Sequence, residues 1–545
     1  MVVGAQGLLA TARAWLRTEW VPATQATLAM VLPLGLAVSA GDLRAGLAMS
    51  LGAFAALYAR REPYRRRAVL VAAVGLGLIA SVALGTLAQG SPWTAGAAIA
   101  VVAAVATWAT QSVGLGPPGA YMFTLVAAVA TNLPPEAGSL AARVGYVALG
   151  AAGAWVITMA GALVRPTVPQ RIAVAEAFDA LAGFLRAPAQ AAGPARHAAA
   201  VRLRVAGDQL VAAGPQSRDA HRLRHLHGHV RRAFLLAAGL AETPCAGHAD
   251  AAARIAAALR TGRPAPVVEL TDDLGRELAA AVAALGSDVE SPAGEHFTAS
   301  SRWHLGPHSL AVPAAIRVFV AAIAAAALAS AVQLPRAYWA PAAAVVVLQA
   351  TSARLTLRRA VHRVAGTLAG VVLAAGVFSL HPSPVGVVVA VGVLQFAVEV
   401  CIARVYALGV TFLTPLALLI AESGRLRMPL DALLSDRLAE TVLGCAVGIV
   451  VALTVLPRAA TGRVPGAITR ARRSERELHW LLDLGDAAGA RRARQDLVRA
   501  LTSLAEAIRN AKGELLPARY RRNALLVEAA EVEDAGWLAV TRTLS

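Results

Sequence analysis

The sequence has 545 residues, of which 57% are hydrophobic and 15% charged, with a mean hydropathy of +0.58 and a net charge of +18. A chain this apolar cannot cover its surface with polar groups, which excludes an ordinary soluble protein and indicates a membrane protein. In such a protein the basic residues first report topology, so the charge does not indicate nucleic acid as a partner. Cys245, Cys401 and Cys445 form no CxxC pair and predict neither a disulfide framework nor a zinc ribbon.

Apolar runs predict twelve membrane spans, because each run approaches the roughly 20 residues that cross the hydrocarbon core. In the first half they lie at 20–39, 43–58, 68–88, 93–112, 119–133 and 142–164, and in the second half at 312–333, 338–352, 361–379, 384–402, 404–421 and 437–456. An alternative for the first span is a signal peptide, since Arg13 and Arg17 precede it and "VSA" at 38–40 resembles a cleavage site. Its apolar core is longer than that of a signal peptide, which favours a span.

Two polar regions accompany these spans. They carry periodic Leu and Val with Arg and Glu between them, which predicts amphipathic helices packed on each other. The sequence therefore predicts an all-α polytopic membrane protein with four segments. These are a six-helix transmembrane repeat at 1–165, a cytoplasmic helical region at 166–311, a second six-helix repeat at 312–457 and a C-terminal cytoplasmic helical region at 458–545.

The distribution of arginine predicts the orientation in the cell inner membrane. Basic residues crowd the loops after the second, eighth and tenth spans: Arg60, Arg61, Arg65, Arg66, Arg67, Arg354, Arg358, Arg359, Arg363 and Arg404. The alternate loops carry fewer: Arg44, Arg143, Arg336, Arg425 and Arg427. Because basic loops stay inside, both termini and both polar regions are predicted to face the cytoplasm.

The two halves of the chain repeat each other at a nearly constant offset. "VPA" at 21–23 matches 312–314, "RRAV" at 66–69 matches 358–361, and "RVGYVALG" at 143–150 matches "RLAETVLG" at 437–444 through its Arg and Gly. Since each half has an even number of spans, the repeats are predicted to be parallel, as in one class of transporter, with a path between them.

Helix breakers at corresponding places indicate where this path lies. Spans two and eight are short and contain Gly46 and Gly52 or Pro341, while Pro415 in span eleven frees a backbone carbonyl at membrane depth. Short or interrupted segments at matching positions favour a substrate site. The alternative is helix packing, which also explains the GxxxG spacings of Gly366 with Gly370 and of Gly444 with Gly448.

The stretch "YWAPAAAVVVLQATSARLTLRRAVHRVAGTLAG" at 338–370 carries the most specific pattern. It resembles the signature of the fusaric acid resistance-like (FUSC) or aromatic acid exporter family, in which a Tyr-Trp pair begins a short span that ends in Gln and a basic segment leads to Arg-x-x-Gly-Thr-x-x-Gly. The matching positions are Tyr338, Trp339, Gln349, Arg363, Gly366, Thr367 and Gly370. The pattern departs from the family at Ala350, where Pro is common, and the first half has no clear copy.

The resemblance implies export of aromatic or other carboxylic acids across the inner membrane, and a plant branch of the family is similar to organic-anion channels. An Arg fork holds a carboxylate through two charge-assisted hydrogen bonds, and aromatic side chains line a site for an apolar ring. The predicted substrate-binding residues are Tyr338, Trp339, Pro341, Gln349, Arg359, Arg363, Thr367, Tyr406 and Pro415. Arg354, Arg358 and His362 form a basic stripe if their segment is helical. The alternative is that these arginines serve topology and lipid phosphate contacts only.

Glu399 is an acidic residue within a predicted span, which makes it a candidate proton carrier. The alternative is a structural ion pair with Arg404, about one turn away. Glu440 with Arg437 is interpreted as an interfacial pair at the outer end of span twelve.

Missing motifs narrow the mechanism. The sequence has no GxxxxGK[ST] phosphate loop and no HExxH or GxSxG motif, so we expect no enzyme, no ATP hydrolysis, no catalytic residue and no cofactor. His221 and His225 share a helical face but lack a Cys or acidic neighbour in sequence, which disfavours a metal site. The favoured function is a secondary exporter of small organic acids driven by the proton gradient. A passive organic-anion channel and a membrane-anchored scaffold are the alternatives. The expected partners are an organic anion and the lipid bilayer, while a homo-oligomer and an accessory membrane protein stay open.

Overall fold

The computed structural model describes residues 5–133, 138–213, 218–239, 245–264, 267–286, 311–349, 353–422, 430–456, 461–512 and 519–542. Throughout these ranges the regular elements are α-helices with short 3₁₀ turns, and no strand occurs among them. The prediction of an all-helical protein is therefore confirmed. Ala350, Arg425 and Arg427 lie outside the described residues.

The chain divides into two compact units. The first, called the membrane unit, comprises Met1–Arg60, Arg67–Gly161 and Arg302–Pro457. The second, called the polar unit, comprises Arg61–Arg66, Ala162–Ser301 and Arg458–Ser545.

Each of the twelve predicted spans overlaps helical structure. The helices are α1 (Ala5–Ser39), α2 (Leu43–Ala53), α3 (Tyr64–Leu87), α4 (Pro92–Val113), α5 (Tyr121–Ala130), α6 (Leu140–Met159), α7 (Gly161–Val164) and, after the polar helices α8 to α12, α13 (Ala311–Ala331), α14 (Trp339–Leu348), α15 (Ala353–Ser379), α16 (Pro384–Ile402), α17 (Tyr406–Glu422) and α18 (Leu430–Thr454). A 3₁₀ turn at Phe54–Leu57 extends α2. Eight helical segments in the described ranges are long and apolar enough to cross a membrane, which confirms a multispanning membrane protein.

Four apolar helices are shorter, at Leu43–Leu57, Tyr121–Ala130, Trp339–Leu348 and Tyr406–Ala421. They form much of the interior of the membrane unit: every residue of α5 and α14 is buried, α14 packs on α5, and α17 packs on α2. A helix that is apolar on all sides is stable where other helices surround it. The long helices instead expose large apolar side chains, such as Leu76 and Val372, as expected for a surface that meets lipid.

Glycine allows close helix packing in both halves. A Cβ added at Gly150 of α6 would lie 1.9 Å from the carbonyl oxygen of Met49 in α2, and one added at Gly444 of α18 would lie 2.2 Å from that of Ala340 in α14. Gly366 and Gly370 of α15 approach the backbone of α17 in the same way, with Cβ distances of 2.4 and 2.7 Å to carbonyl oxygens. Packing, the alternative explanation of these spacings, is what the structure shows at these positions.

The predicted interruptions of spans two and eight are not seen. Helix α2 continues through Gly46 and Gly52, and Gly52 packs against the backbone of Val147 in α6. Pro341 lies in the first turn of α14, where its missing N–H group would have no partner within the helix. The interpretation of these residues as helix breaks was therefore wrong. The two segments are short, continuous helices.

The polar unit is built from eight helices within the described ranges. They are α8 (Val168–Leu185), α9 (Ala189–Ala213), α10 (Arg218–Gly239), α11 (Ala246–Thr261), α12 (Asp273–Gly286), α19 (Val464–Asp483), α20 (Ala487–Lys512) and α21 (Arg519–Arg542). Their apolar faces share one core, in which Phe178 and Phe234 from the first polar region accompany Leu501 and Trp537 from the second. The two regions thus fold together, and their apolar helix faces are buried in this shared core.

Candidate anion-binding site

A group of polar side chains lies along one face of α15, and we call it the α15 cluster: Arg359, Arg363, Thr367, Tyr121 and Tyr406. Arg359, Arg363 and Thr367 follow one another at intervals of four residues, so they share the face that meets α17. The Arg363 Nη2 donates a hydrogen bond of 3.0 Å to the hydroxyl of Tyr121 on α5, and its guanidinium carbon lies 5.3 Å from that ring centroid. The Arg359 guanidinium carbon lies 5.2 Å from the ring centroid of Tyr406 on α17.

The α15 cluster holds polar atoms that are buried without a hydrogen-bond partner in the described structure. Arg363 is 2% exposed and Thr367 fully buried, yet the Nε of Arg363 and the Oγ1 of Thr367 have no partner there. Burying a charge without full pairing costs several kcal/mol, so such atoms are normally met by water, an ion or a ligand. Arginine presents only donors, so the missing partner of its Nε is an acceptor.

A second group joins two residues of α18 to one of α14, and we call it the α18 cluster: Arg437, Glu440 and Trp339. The guanidinium carbon of Arg437 is 3.9 Å from the ring centroid of Trp339, the first residue of α14. Arg437 is 2% exposed, while Trp339 and Glu440 are fully buried. The Nε and Nη1 of Arg437 and the Nε1 of Trp339 have no hydrogen-bond partner in the described structure. The sequence interpretation as an interfacial pair did not predict this burial.

The two clusters lie within electrostatic range of each other. Arg437 experiences the charges of both Arg363 and Glu440, and the thiol of Cys445 on α18 lies within range of both arginines. These three charged residues are two arginines and one glutamate, which leaves an excess of positive charge in a low-dielectric interior. The arrangement is suited to attract and hold an anion.

The remaining predicted site residues lie around these clusters or apart from them. Tyr338 packs on Trp339, with ring centroids 5.1 Å apart. The side-chain oxygen of Gln349 lies 2.1 Å from where a Cβ would stand on Gly119, in the segment between α4 and α5, so its described contact is outside both clusters.

Pro415 lies within α17 and leaves the carbonyl of Thr411 without its helical donor. That oxygen lies 2.7 Å from the Cβ position of Gly370 in α15, so it faces packed protein. The sequence required that a freed carbonyl at membrane depth meet either protein or a wet cavity. The structure provides the first of these.

Glu399 pairs with a residue of the other half of the chain. One carboxylate oxygen accepts a hydrogen bond of 2.5 Å from Nη1 of Arg60, and the other accepts one of 2.9 Å from Nε2 of Gln395. Glu399 is buried and Arg60 partly buried. The described contacts of this carboxylate are thus with Arg60 and Gln395, and not with the expected Arg404.

The other basic and histidine residues singled out from the sequence differ in exposure and contacts. Arg354 and Arg358 are exposed on α15, as expected for a solvated basic stripe. In the polar unit the His225 and His229 rings are 5.7 Å apart, and His229 Nδ1 lies 2.8 Å from Glu277. Burial lowers the pKa of His229 despite that carboxylate. Among the described residues, no group of three or more His, Cys, Asp or Glu side chains is placed to hold a metal ion.

Sequence reasoning missed Tyr121, Arg60 and the buried position of Arg437 against Trp339. Each belongs to an element far along the chain from its partner: Tyr121 is 242 residues from Arg363, and Arg60 is 339 residues from Glu399. The burial of Arg437 had one usable signal, because an Arg followed one turn later by Glu within an apolar helix must be paired or functional.

Comparisons with known proteins agree with the resemblance found in the sequence. Residues 303–451 match the family described as fusaric acid resistance protein-like, which confirms that resemblance. The uncharacterized membrane protein YvaC of Bacillus subtilis (strain 168) is 27% identical over 504 residues, covering 88% of this chain and 79% of its own length. No solved structure matches the chain at a significant level. The family match spans α13 to most of α18 and therefore contains the arginines of both clusters.

Proposed function

We propose that this protein is an inner-membrane exporter of small organic acids, aromatic acids among them, driven by the proton gradient. In this proposal twelve helices cross the membrane as two parallel six-helix repeats. The packing supports the repeats, because α2 packs on α6 as α14 packs on α18, and α1 packs on α16 as α13 packs on α4. The match to a fusaric acid resistance protein-like family supports a role in transport.

The observation that carries the proposal is the state of Arg363. Its guanidinium is buried in the membrane unit, is held against Tyr121, and keeps an N–H group without an acceptor in the described structure. A carboxylate supplies two acceptor oxygens that match the planar fork, and the rings of Tyr121 and Tyr406 offer contacts to an apolar body. The hydrogen bonds to such a substrate are non-covalent, so its release leaves the Arg363 N–H group without an acceptor again.

The test is flux of a panel of labelled carboxylic acids in membrane vesicles. Once an acid is transported, Arg363→Lys should weaken its binding by about ten- to over a hundredfold, because a point charge replaces the fork and one charge-assisted hydrogen bond of roughly 1.5 to 3 kcal/mol is lost. Arg358→Lys, on the exposed side of the same helix, is the matched control and should behave as wild type. Wild-type affinity in Arg363→Lys would remove this residue from the site. Absence of flux for every acid under every gradient would favour the scaffold role.

Glu399 is the proposed proton-coupling residue. It is buried, and its ion pair with Arg60 joins the two halves, so protonation would release a contact between them. Glu399→Gln should therefore make export independent of an imposed pH gradient, while Gln395→Ala should keep the dependence. Flux in the wild type that ignores the gradient would instead support the passive channel.

The proposed orientation places both termini and the polar unit in the cytoplasm, following the basic loops. A cysteine introduced at the exposed Asp250 of α11 should resist an impermeant thiol reagent in intact cells and react after lysis. Labelling in intact cells would reverse the orientation.

A further inference from the structure

The α18 cluster contains hydrogen-bond donors that its own side chains leave unused. The Nε and Nη1 of Arg437 and the Nε1 of Trp339 belong to two stacked groups, and none has a partner in the described structure. All three are donors, so only an acceptor can satisfy them. Buried donors without acceptors are rare in proteins, and three in one stacked pair point to a ligand.

We propose that Arg437 and Trp339 form a second anion station, distinct from the α15 cluster, that binds a carboxylate. The proposal rests on the function proposed above, since it adds a second stop for the same class of substrate. The carboxylate accepts from Nε and Nη1 of Arg437, and the indole N–H of Trp339 supplies the third donor.

Glu440 does not remove the need for an anion. It lies within electrostatic range of Arg437, but Arg363 lies within the same range with a second positive charge. The three residues carry two positive charges and one negative charge, so a bound anion restores neutrality among them. Repulsion between the two arginines also favours occupancy at either station over an empty pair.

The internal repeat offers an independent comparison. Arg143 stands at the position of Arg437 in the first half, at the offset of 294 residues between the matching motifs. Its Nε donates to the carbonyl oxygen of Gly138 at 3.0 Å and its Nη1 to the side-chain oxygen of Gln89 at 3.3 Å. Nε and Nη1 are therefore hydrogen-bonded in Arg143 and have no partner in Arg437 in the described structure. The unpaired donors of Arg437 thus follow from its own surroundings and not from its position in the repeat.

Cys445 provides a built-in reporter for this station. It lies two turns along α18 from Arg437, about 12 Å by helical rise, is buried, and is within electrostatic range of Arg437. In a Cys245→Ser, Cys401→Ser protein it is the remaining thiol. A reagent that modifies this sulfur therefore comes within electrostatic range of Arg437.

The experiment compares two thiol reagents of similar size in the purified full chain, anionic sulfonatoethyl methanethiosulfonate and cationic trimethylammonioethyl methanethiosulfonate. We expect the anionic reagent to modify Cys445 at least about tenfold faster, because a confined positive site concentrates anions. Arg437→Gln should bring the two rates close together. Arg143→Gln, which removes the same charge at the matching position, should leave the preference unchanged.

Two further variants keep the test decisive if Arg437→Gln does not fold. Arg437→Lys preserves the charge and should keep the reagent preference, but benzoate should protect Cys445 about tenfold less well because the planar fork is lost. Trp339→Phe keeps a ring and removes the indole donor, and should also reduce the protection by benzoate.

Equal rates for the two reagents, no reaction of Cys445 in the folded protein, or a preference that persists in Arg437→Gln would each overturn the second station. These measurements need no transported substrate. If no acid is exported but the anion preference and its dependence on Arg437 hold, the station stands and the exporter function falls.

Discussion

The two halves of the membrane unit place arginine at matching positions and use it differently. In the first half, Arg67 donates to the carbonyl oxygens of Ala59 and Thr158, so it fastens backbone segments together. At the matching position of the second half, Arg359 lies over the ring of Tyr406. Arg143 and Arg437 differ in the same way. Both first-half arginines thus donate to their own surroundings, whereas Arg437 in the second half keeps Nε and Nη1 without a partner in the described structure.

A third position makes the contrast sharper. At the offset of the "RRAV" motifs, Arg363 corresponds to Val71 of α3, which is buried and apolar. The second half thus carries the buried arginine, and the first half contributes Tyr121 as its hydrogen-bond partner. The family match covers the second half, which fits this division.

The largest loss of stability is expected at the close helix contacts that both halves share. Gly150→Ala and Gly444→Ala each place a Cβ within 2.2 Å of a backbone carbonyl oxygen of the neighbouring helix, a contact that side-chain movement cannot relieve. We expect each to destabilise the membrane unit by about 3 kcal/mol or more and to lower the yield of folded protein, measured by thermal aggregation in detergent.

The matched control is Gly153→Ala on the same helix as Gly150, where an added Cβ meets no atom within 4 Å. It should be neutral or slightly stabilising, since Ala favours helix over Gly. A strong effect of Gly444→Ala alone would mean that only the second half depends on close packing, and would weaken the comparison.

Substitutions of the matching residues Arg67 and Arg359 should have smaller effects, which differ between the two halves. Arg67→Lys loses backbone hydrogen bonds, so we expect a loss of stability of roughly 1.5 to 3 kcal/mol with unchanged substrate affinity in the protein that folds. Arg359→Lys should leave the thermal midpoint near wild type and weaken substrate binding several-fold, because Lys stacks on Tyr406 less well than a guanidinium. The measurements are thermal stability in detergent and half-saturating substrate concentration in vesicles. Loss of affinity in Arg67→Lys at normal stability would contradict the division of roles.

Sequence patterns predicted the helices well and the membership of the α15 cluster in part. Long apolar runs mark spans because hydrocarbon thickness fixes their length, and the spacing of Arg359, Arg363 and Thr367 fixes a common helix face. The partners of these residues follow from tertiary packing. Nothing in the apolar run of α5 distinguishes Tyr121 as the residue that meets Arg363, since both are set by how α5 lies against α15.

Proline and glycine were harder to interpret because one residue type serves opposite purposes. Pro341 begins a helix while Pro415 lies inside one, and both read as interruptions in sequence. Gly52 allows α2 to touch α6, which periodicity cannot distinguish from a break. The role of such residues depends on the neighbouring helix, which a single sequence does not identify.

Each half of the membrane unit is followed by a polar region, and the two polar regions meet within the polar unit. His197 of α9 is buried, and burial together with the charges of Arg509 and Arg204 lowers its pKa to about 4. Beside it, Arg196 pairs with Asp534 of α21 and lies over the ring of Trp537, with its guanidinium carbon 4.9 Å from the ring centroid. A proton on His197 would add a third positive charge to Arg509 and Arg204, so the imidazole stays neutral in the folded protein at physiological pH.

The smallest predicted effect follows from this histidine. Its folded pKa lies below the unfolded value of about 6.5, so the unfolded chain takes up a proton first as the pH falls. The contribution to stability is therefore complete above pH 6.5 and is lost as the pH falls from there toward 4, amounting to about 1 kcal/mol between pH 7.5 and 5.5.

His197→Leu should remove that share of the pH dependence, while His221→Asn, at an exposed position, should retain it. Urea-dependent reactivity of Cys245, in a Cys401→Ser, Cys445→Ser protein, reports the opening of the polar unit, whose core it packs against. An unchanged pH dependence in His197→Leu would show that the junction of the two polar regions tolerates a charge at this position, and that the regions are joined less tightly than their shared core indicates.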